Sequence, residues 1–454
     1  MVFSSVEFLL YFLPVFLILY GITPKNLKNM TLLSGSLIFY AFGEPRHLIL
    51  LMISVLINYF VGLHIWPTRG NGKNKYRKDK SKKILFAVAI AGNLICLAFF
   101  KGGLSESGLP LGISFYTFQI LSYLIDVYRG EIKRERSFVK LATYITMFPQ
   151  LVSGPIVSYG EVQGALSERK MTAEGMQDGL KVFILGLVSK VLLADRIGLL
   201  WREVQVTGFE SISTPMAWMA AVAYSLKIYF DFYGYSLMAI GLGRMFGFEL
   251  PENFRTPYMA RSVRDFYRRW HMTLGRWFCK YVYIPLGGNR KGELRTALNL
   301  LTVWGLTSLW HGSTANFFLW GGLLWFLIVM ERQFEKTGIG KHLKVLPHLY
   351  LWAVIPVTWM CFAITDISQL QIYLGRMLGF TQGINVKGND WMGALKNYGP
   401  LFAVCLFSCT PAVKKLYRKW KEKIPVLLAL GVLFWICIWR ITVEGNNPFM
   451  YFRF

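Results

Sequence analysis

Leu48-Ile49-Leu50-Leu51-Met52-Ile53-Ser54-Val55-Leu56-Ile57-Asn58-Tyr59-Phe60-Val61-Gly62-Leu63 runs without a single charge. With its flanks, as a span near 47–66, it reaches the roughly 20 residues that a helix needs to cross a hydrocarbon core of about 30 Å. The next loop, 67–83, carries Arg69, Lys73, Lys75, Arg77, Lys78, Lys80, Lys82 and Lys83 against Asp79 alone. An apolar run closed by a basic loop is the signature of a membrane crossing with its loop in the cytoplasm.

The same alternation extends in both directions. Apolar segments lie near 6–23, 29–44, 84–101, 110–128, 178–200, 214–232, 234–248, 295–311, 314–331, 348–366, 395–411 and 424–441. Some are short or polar enough to be re-entrant, so about 11 crossings are expected. Lys25 and Lys28 lie between the first two, and segment 129–140 holds Arg129, Lys133, Arg134, Arg136 and Lys140. Placing all three basic loops in the cytoplasm makes the spans alternate and puts the N-terminus outside. No small-residue cleavage site follows the first span, which therefore reads as an anchor. The expected fold class is an all-α polytopic membrane protein, because helical runs of this length are not the short alternating strands of a barrel. No repeat is visible, and residues 1–454 read as one domain.

Composition agrees. The 454 residues are 54% hydrophobic and only 17% charged, against about 25% in a soluble domain. The net charge of +25 comes from 50 Lys and Arg against 25 Asp and Glu. Because the cations sit between apolar spans, topology and anionic headgroups account for them, or docking of an acidic cytoplasmic partner; nucleic acid is not implied. The six cysteines form no CxxC pair and read as buried small hydrophobes.

Met147-Phe148-Pro149-Gln150-Leu151-Val152-Ser153-Gly154-Pro155 breaks the helical pattern. Proline frees backbone groups that are tolerated at membrane depth only where protein or water satisfies them. A re-entrant hairpin and a plain interfacial turn both fit.

Two of the six histidines stand out. His47, His64, His342 and His348 lie at span ends or in loops, where a histidine is ordinarily solvated or interfacial. His311 instead closes the apolar run that begins at Leu300. An ionisable group at bilayer depth costs at least about 2.5–3.5 kcal/mol, so it is a functional candidate. Thr307 and Ser308, at i−4 and i−3, share its helical face, and either hydroxyl could orient its ring. Histidine suits proton transfer because its ordinary pKa of about 6.5 lies near operating pH. A structural histidine between helices is the competing reading. His271 lies in a stretch, 251–295, with ten Lys and Arg and three Asp and Glu. Mixed with aromatics, this reads as an interfacial amphipathic helix. It serves either as a headgroup anchor or as the entrance where a phosphate-bearing thioester arrives, with Arg268 and Arg269 as phosphate grips.

Several chemistries are absent from the sequence. Gly112-Ile113-Ser114-Phe115-Tyr116 fails the GxSxG elbow at its last position. No Walker loop or dinucleotide fingerprint occurs. No aspartate follows four residues after either histidine, and two histidines about 40 residues apart make a poor metal site. What remains is proton transfer by histidine, without a serine or cysteine nucleophile and without a metal.

Six blocks in order resemble the membrane-bound O-acyltransferases, in their bacterial branch for alginate O-acetylation and teichoic-acid D-alanine transfer. They are Phe148–Ile156, Tyr229-Phe230-Asp231-Phe232-Tyr233-Gly234-Tyr235-Ser236, Pro251-Glu252-Asn253-Phe254, Asp265–Leu274, Tyr281–Arg290 and Trp310-His311-Gly312. They cover about 110–322 densely, and the region after about 335 carries little of the pattern. The resemblance implies a catalytic core over about 110–335, with peripheral helices 1–109 and 336–454 ringing a central funnel. It implies His311 as the catalytic residue, His271 as the second polar position and Asp231 as a buried structural or pore-lining acid. Trp310, Gly312, Thr307, Ser308, Asn316, Tyr267, Arg268 and Arg269 become candidates to line the donor channel. The Pro285-Leu286-Gly287-Gly288-Asn289 run is closer to the alginate side, which favours acetyl over D-alanyl.

On that resemblance, a thioester, acetyl-CoA or an acyl carrier protein, approaches from the cytoplasm with no cofactor permanently bound. His311 takes the proton of an acceptor hydroxyl that attacks the thioester carbonyl. No esterase-like domain is legible in the chain, so an extracytoplasmic transferase partner is expected to complete transfer to a polysaccharide. The expected location is the bacterial cytoplasmic membrane. A transporter or flippase, and a scaffold of a secretion complex, are the competing classes.

Overall fold

The computed structural model describes residues 2–69, 76–77, 79–105, 108–151, 154–338, 345–380 and 386–445. Lys73, Lys75, Lys78, Val152, Ser153 and His342 lie outside the described residues. The chain is helical almost throughout. Among the described residues the β pairing is one antiparallel contact of Thr68–Arg69 with Tyr76–Arg77.

Among the described residues, five helices are long and apolar enough to cross a membrane: Pro45–Ile65, Lys80–Lys101, Ala315–Lys336, Leu346–Ala363 and Ile424–Glu444. A shorter apolar helix covers Glu7–Ile22. Their outer faces are what lipid contact requires: Lys80–Lys101 buries none of its residues and exposes Ile84, Val88 and Ile95. The protein is a membrane protein.

The sequence boundaries hold closely at most elements, with helices at Lys28–Gly43, Ile113–Arg129 and Glu293–His311. One expectation fails. The segments at 214–232 and 234–248 are a single helix, Thr214–Met245, that passes through Gly234 without a break. Gly234 is there for closeness rather than for a turn. A Cβ at this position would lie 2.6 Å from the Gly186 carbonyl oxygen and 2.9 Å from the Lys190 nitrogen. Small residues let helix backbones approach in this way.

The chain divides into two compact units, one of residues up to Ile184 with Tyr235–Pro251 and the segment from Ile441, the other of Leu185–Gly234 and Glu252–Arg440. In the first unit the described part of the Pro149 stretch is buried. Phe148–Leu151 forms one buried helical turn whose Phe148 ring packs edge-on against Phe12, Phe16 and Phe246 at 5.5–5.6 Å. Phe148 N–H donates to the Ser36 hydroxyl at 3.2 Å, and Gln150 donates its side-chain amide to the Tyr144 carbonyl. Protein groups therefore serve the Phe148 N–H and the Tyr144 carbonyl at the helix break, and the turn is buried in protein rather than set at an interface. His47 is also buried, with its Nδ1 3.1 Å from Glu44 Oε1, and is not the solvated histidine expected at a span end.

In the second unit a π-helical stretch, Ser189–Ala194, leads into the helix Asp195–Thr207. Lys190 lies in that stretch and is 2% exposed. Its ammonium sits 2.6 Å from Asp195 Oδ1 and 3.0 Å from Asp231 Oδ1. A buried cation is tolerable only when paired in this way.

A candidate active site of two histidines around one tryptophan

The stretch read as an amphipathic helix, 251–295, is instead two short helices, Val263–Arg269 and Met272–Phe278, followed by the π-turn Cys279–Tyr283. The break falls at His271, whose φ of 44° and ψ of 51° are left-handed. Histidine is among the non-glycine residues enriched in that region. The first helix is capped twice: Ser262 Oγ accepts from Asp265 N–H, and Glu331 accepts from the Val263 and Arg264 N–H groups at 2.6 and 3.0 Å. The carboxylate thus sits at the positive end of the helix.

This kink turns His271 inward, where it is 4% exposed. Its Nδ1 lies 3.0 Å from Asn253 Oδ1, and that same atom receives Thr273 N–H at 3.3 Å and the Thr273 hydroxyl at 3.0 Å. A backbone N–H can only donate, so the shared Asn253 atom is the oxygen. His271 Nδ1 is then the protonated nitrogen, and Nε2 carries the lone pair. Nε2 makes no hydrogen bond among the described residues. His271 lies outside the candidate spans. Burial alone pushes its pKa down from 6.5 to about 3, so the imidazole stays neutral at physiological pH.

His311 ends the helix Glu293–His311 and is 6% exposed. Trp310 stands 4.5 Å from it, Phe362 5.0 Å and Trp320 5.1 Å, ring centre to ring centre. Trp310 is also 6.4 Å from His271, so one indole touches both imidazoles. Phe232 also packs on His271, edge-on at 4.7 Å.

The remaining candidates fall into place around this pair. Thr307 and Ser308 donate their hydroxyls to the Val303 and Trp304 carbonyls one turn back, at 2.8 and 2.9 Å. Their protons serve the helix rather than the His311 ring, as is usual for these residues inside apolar helices. Asn316 is fully buried and donates to the Cys361 and Phe362 carbonyls at 3.1 and 3.2 Å. It holds the end of the helix Leu346–Ala363, and so Phe362, against His311. Gly312 leaves room for the Phe317 ring, which a Cβ would meet at 2.5 Å. Tyr267 packs edge-on against Trp304 at 4.9 Å. Arg269 is held by Asp265 in two contacts of 3.0 Å within its own helix, whereas Arg268 is exposed and has no carboxylate partner among the described residues. Of the two expected phosphate grips, only Arg268 keeps its charge available. Asp231 pairs with Lys190 in the second unit.

The model of MBOAT, the membrane-bound O-acyltransferase family, matches residues 50–364. The chain belongs to this family. It is accordingly a membrane O-acyltransferase. A probable alginate O-acetylase of Pseudomonas putida is 30% identical over the whole of both chains. A peptidoglycan O-acetyltransferase of Helicobacter pylori is 30% identical over all of this chain and 98% of its own. A teichoic acid D-alanyltransferase of Bacillus subtilis is 27% identical over 56% of this chain and 67% of its own. Both histidines and the tryptophan between them lie inside the matched region of this O-acyltransferase.

The role of Asn253 is not legible in the sequence alone. It lies in one of the six family-like blocks, but its bond to His271 spans 18 residues and depends on the left-handed kink. Phe232 lies in another of those blocks without a role of its own, and Trp320 and Phe362 give no signal among so many apolar residues.

Proposed function

We propose that this O-acyltransferase moves an acetyl group from a cytoplasmic thioester, acetyl-CoA or an acyl carrier protein, toward the hydroxyls of an extracytoplasmic polysaccharide. The observation that carries the reading is the pair His271 and His311, both packed against Trp310, with the His271 tautomer set by Asn253. His311 takes the proton of the acceptor O–H as that oxygen bonds to the thioester carbonyl carbon. The carbon–sulfur bond then breaks, and the departing thiolate takes up the proton. His271 Nε2 offers a second acceptor for the incoming hydroxyl. General-base assistance of this kind contributes typically about 10²–10⁴-fold.

The acetyl assignment is supported by two relatives named as O-acetyl-transferring enzymes that align over the whole chain. D-alanyl transfer is the second reading, favoured by the teichoic acid relative, which aligns over little more than half of it. Arg268, the cation left available on the helix before His271, receives the phosphate-bearing donor. An extracytoplasmic transferase completes delivery to the polymer. The setting we infer is the cytoplasmic membrane of a bacterium, with about 11 crossings around a central funnel, the length of each set by bilayer thickness.

Radiolabelled acetyl transfer in cells tests this, comparing wild type with His311→Ala at matched membrane abundance. Polymer-bound label should disappear in the variant. Full retention of label would make His311 structural and remove the proposed mechanism.

A further inference from the structure

In the first unit, a cavity of about 360 Å³ is lined by Tyr59, Leu63, His64, Arg134 and Arg136. It opens at the end of the candidate span Pro45–Ile65. The loop that supplies the arginines is fastened to that helix end. Tyr59 OH donates to the Arg136 carbonyl and Arg134 Nη1 donates to the Leu63 carbonyl, each at 2.6 Å. His64 Nδ1 donates to the Phe60 carbonyl at 2.7 Å.

The charges around the cavity do not cancel. Arg129, at the start of the loop, is 3.6 Å from Glu131. Glu135 does not line the cavity, and its two oxygens accept from Ser137 N–H at 2.7 Å and from the Tyr159 hydroxyl. Arg134 and Arg136 have no carboxylate within ion-pair distance among the described residues. Two guanidinium groups beside an imidazole form a recognition site for a phosphate ester, which arginine binds through paired donors.

A second observation identifies the source of that phosphate. Ile49, Ile53, Leu56, Ile57 and Phe60 are all exposed. Their spacing of three and four puts them on one face of the helix, and that same face ends at His64. An apolar stripe therefore leads directly into the cationic cavity.

We propose that this cavity binds the phosphate of an anionic glycerophospholipid, with the acyl chains lying along the Ile49–Phe60 stripe. Arg136 supplies exposed charge beside the exposed His64 ring, and Arg134 and Tyr59 hold the loop in place. The lipid fixes the depth of this helix end in the bilayer without taking part in the acyl transfer.

Native mass spectrometry of the full chain in detergent micelles tests the site. Phosphatidylglycerol, phosphatidylcholine of matched chain length and glycerol phosphate serve as probes. Arg134 is kept because it caps the helix end; the variants are Arg136→Gln alone and combined with His64→Gln, both on exposed side chains. Arg290→Gln, an exposed arginine of the other unit, is the control. Wild type and control should retain phosphatidylglycerol at least about tenfold better than the double variant, the loss expected when a charge-assisted contact is removed. The single variant should fall between them. Equal retention in wild type and double variant overturns the site. So does displacement of the lipid by glycerol phosphate, which would mark a site for soluble phosphate, or equal binding of phosphatidylcholine, which would remove the anionic requirement.

Discussion

His271 Nδ1 and Asn253 Oδ1 lie 3.0 Å apart, and the same oxygen holds both the amide and the hydroxyl of Thr273. One side chain thus fixes the ring orientation, the tautomer and the first turn of the helix that follows. Asn253→Ala would take away the acceptor of the buried His271 Nδ1–H, at about 1–3 kcal/mol where no water replaces it, and the Asn253 contacts of Thr273 with it. We expect a lower melting temperature in detergent and acyl transfer reduced at least about tenfold per folded molecule, as the Nε2 lone pair loses its fixed direction. Asn253→Asp keeps the acceptor and should recover most of the stability. Wild-type transfer by Asn253→Ala would remove the tautomer from the mechanism.

The buried, neutral state of His271 has a pH consequence. Its pKa is about 3 in the folded protein, against about 6.5 when unfolded. Between those values the unfolded chain binds more protons, so stability falls as pH drops through this window and is unaffected above it. Wild type should therefore lose melting temperature more steeply than His271→Gln from about pH 6 to pH 4, while the two curves run parallel above about pH 7. Parallel curves throughout would mean that the ring is protonated in place.

The five long apolar helices are legible in the sequence because the bilayer imposes a length that apolar runs either reach or do not. The exception is instructive. Tyr233-Gly234-Tyr235 looks like a break, yet Gly234 serves a backbone approach that no single sequence can display. The pairing of Arg269 is within reach of the sequence, since Asp265 stands at the i−4 position and meets it on any helix. The kink at His271 is not, because nothing in Trp270-His271-Met272 announces a positive φ. Residue type and setting single out both histidines, but their convergence on Trp310 is a property of packing between segments some 40 residues apart.

Gly321 sets the distance between the helix that carries His311 and the helix after it. A Cβ there would lie 1.9 Å from Ser308 Oγ and 3.1 Å from the Trp304 carbonyl oxygen. Gly321→Ala should destabilise by about 1–3 kcal/mol through overpacking and displace His311, which follows Ser308 by one turn. Transfer should fall with it. Ser308→Ala in the same chain removes the closest atom and should restore part of both. A Cβ at Gly322 would meet nothing within 4 Å, so Gly322→Ala should be harmless. If the two glycines respond alike, helix spacing is not the cause.

Asp231 separates a structural acid from one that handles substrate. Its partner Lys190 is also held by Asp195, so Asp231→Asn leaves that ammonium one carboxylate and a neutral acceptor. Lys190→Met is the harsher change, because it takes the ammonium away from the buried Asp231 carboxylate and the part-buried Asp195 carboxylate together. Stranding a buried charge typically costs about 3–5 kcal/mol. Membrane abundance should therefore collapse for Lys190→Met and fall only modestly for Asp231→Asn. Transfer per folded molecule in Asp231→Asn should stay close to wild type, since the work of the pair is to brace the π-helical stretch. A large loss of transfer at full abundance would instead put Asp231 on the path of the donor or acceptor, and His271 would then have a charged neighbour in the reaction through Phe232.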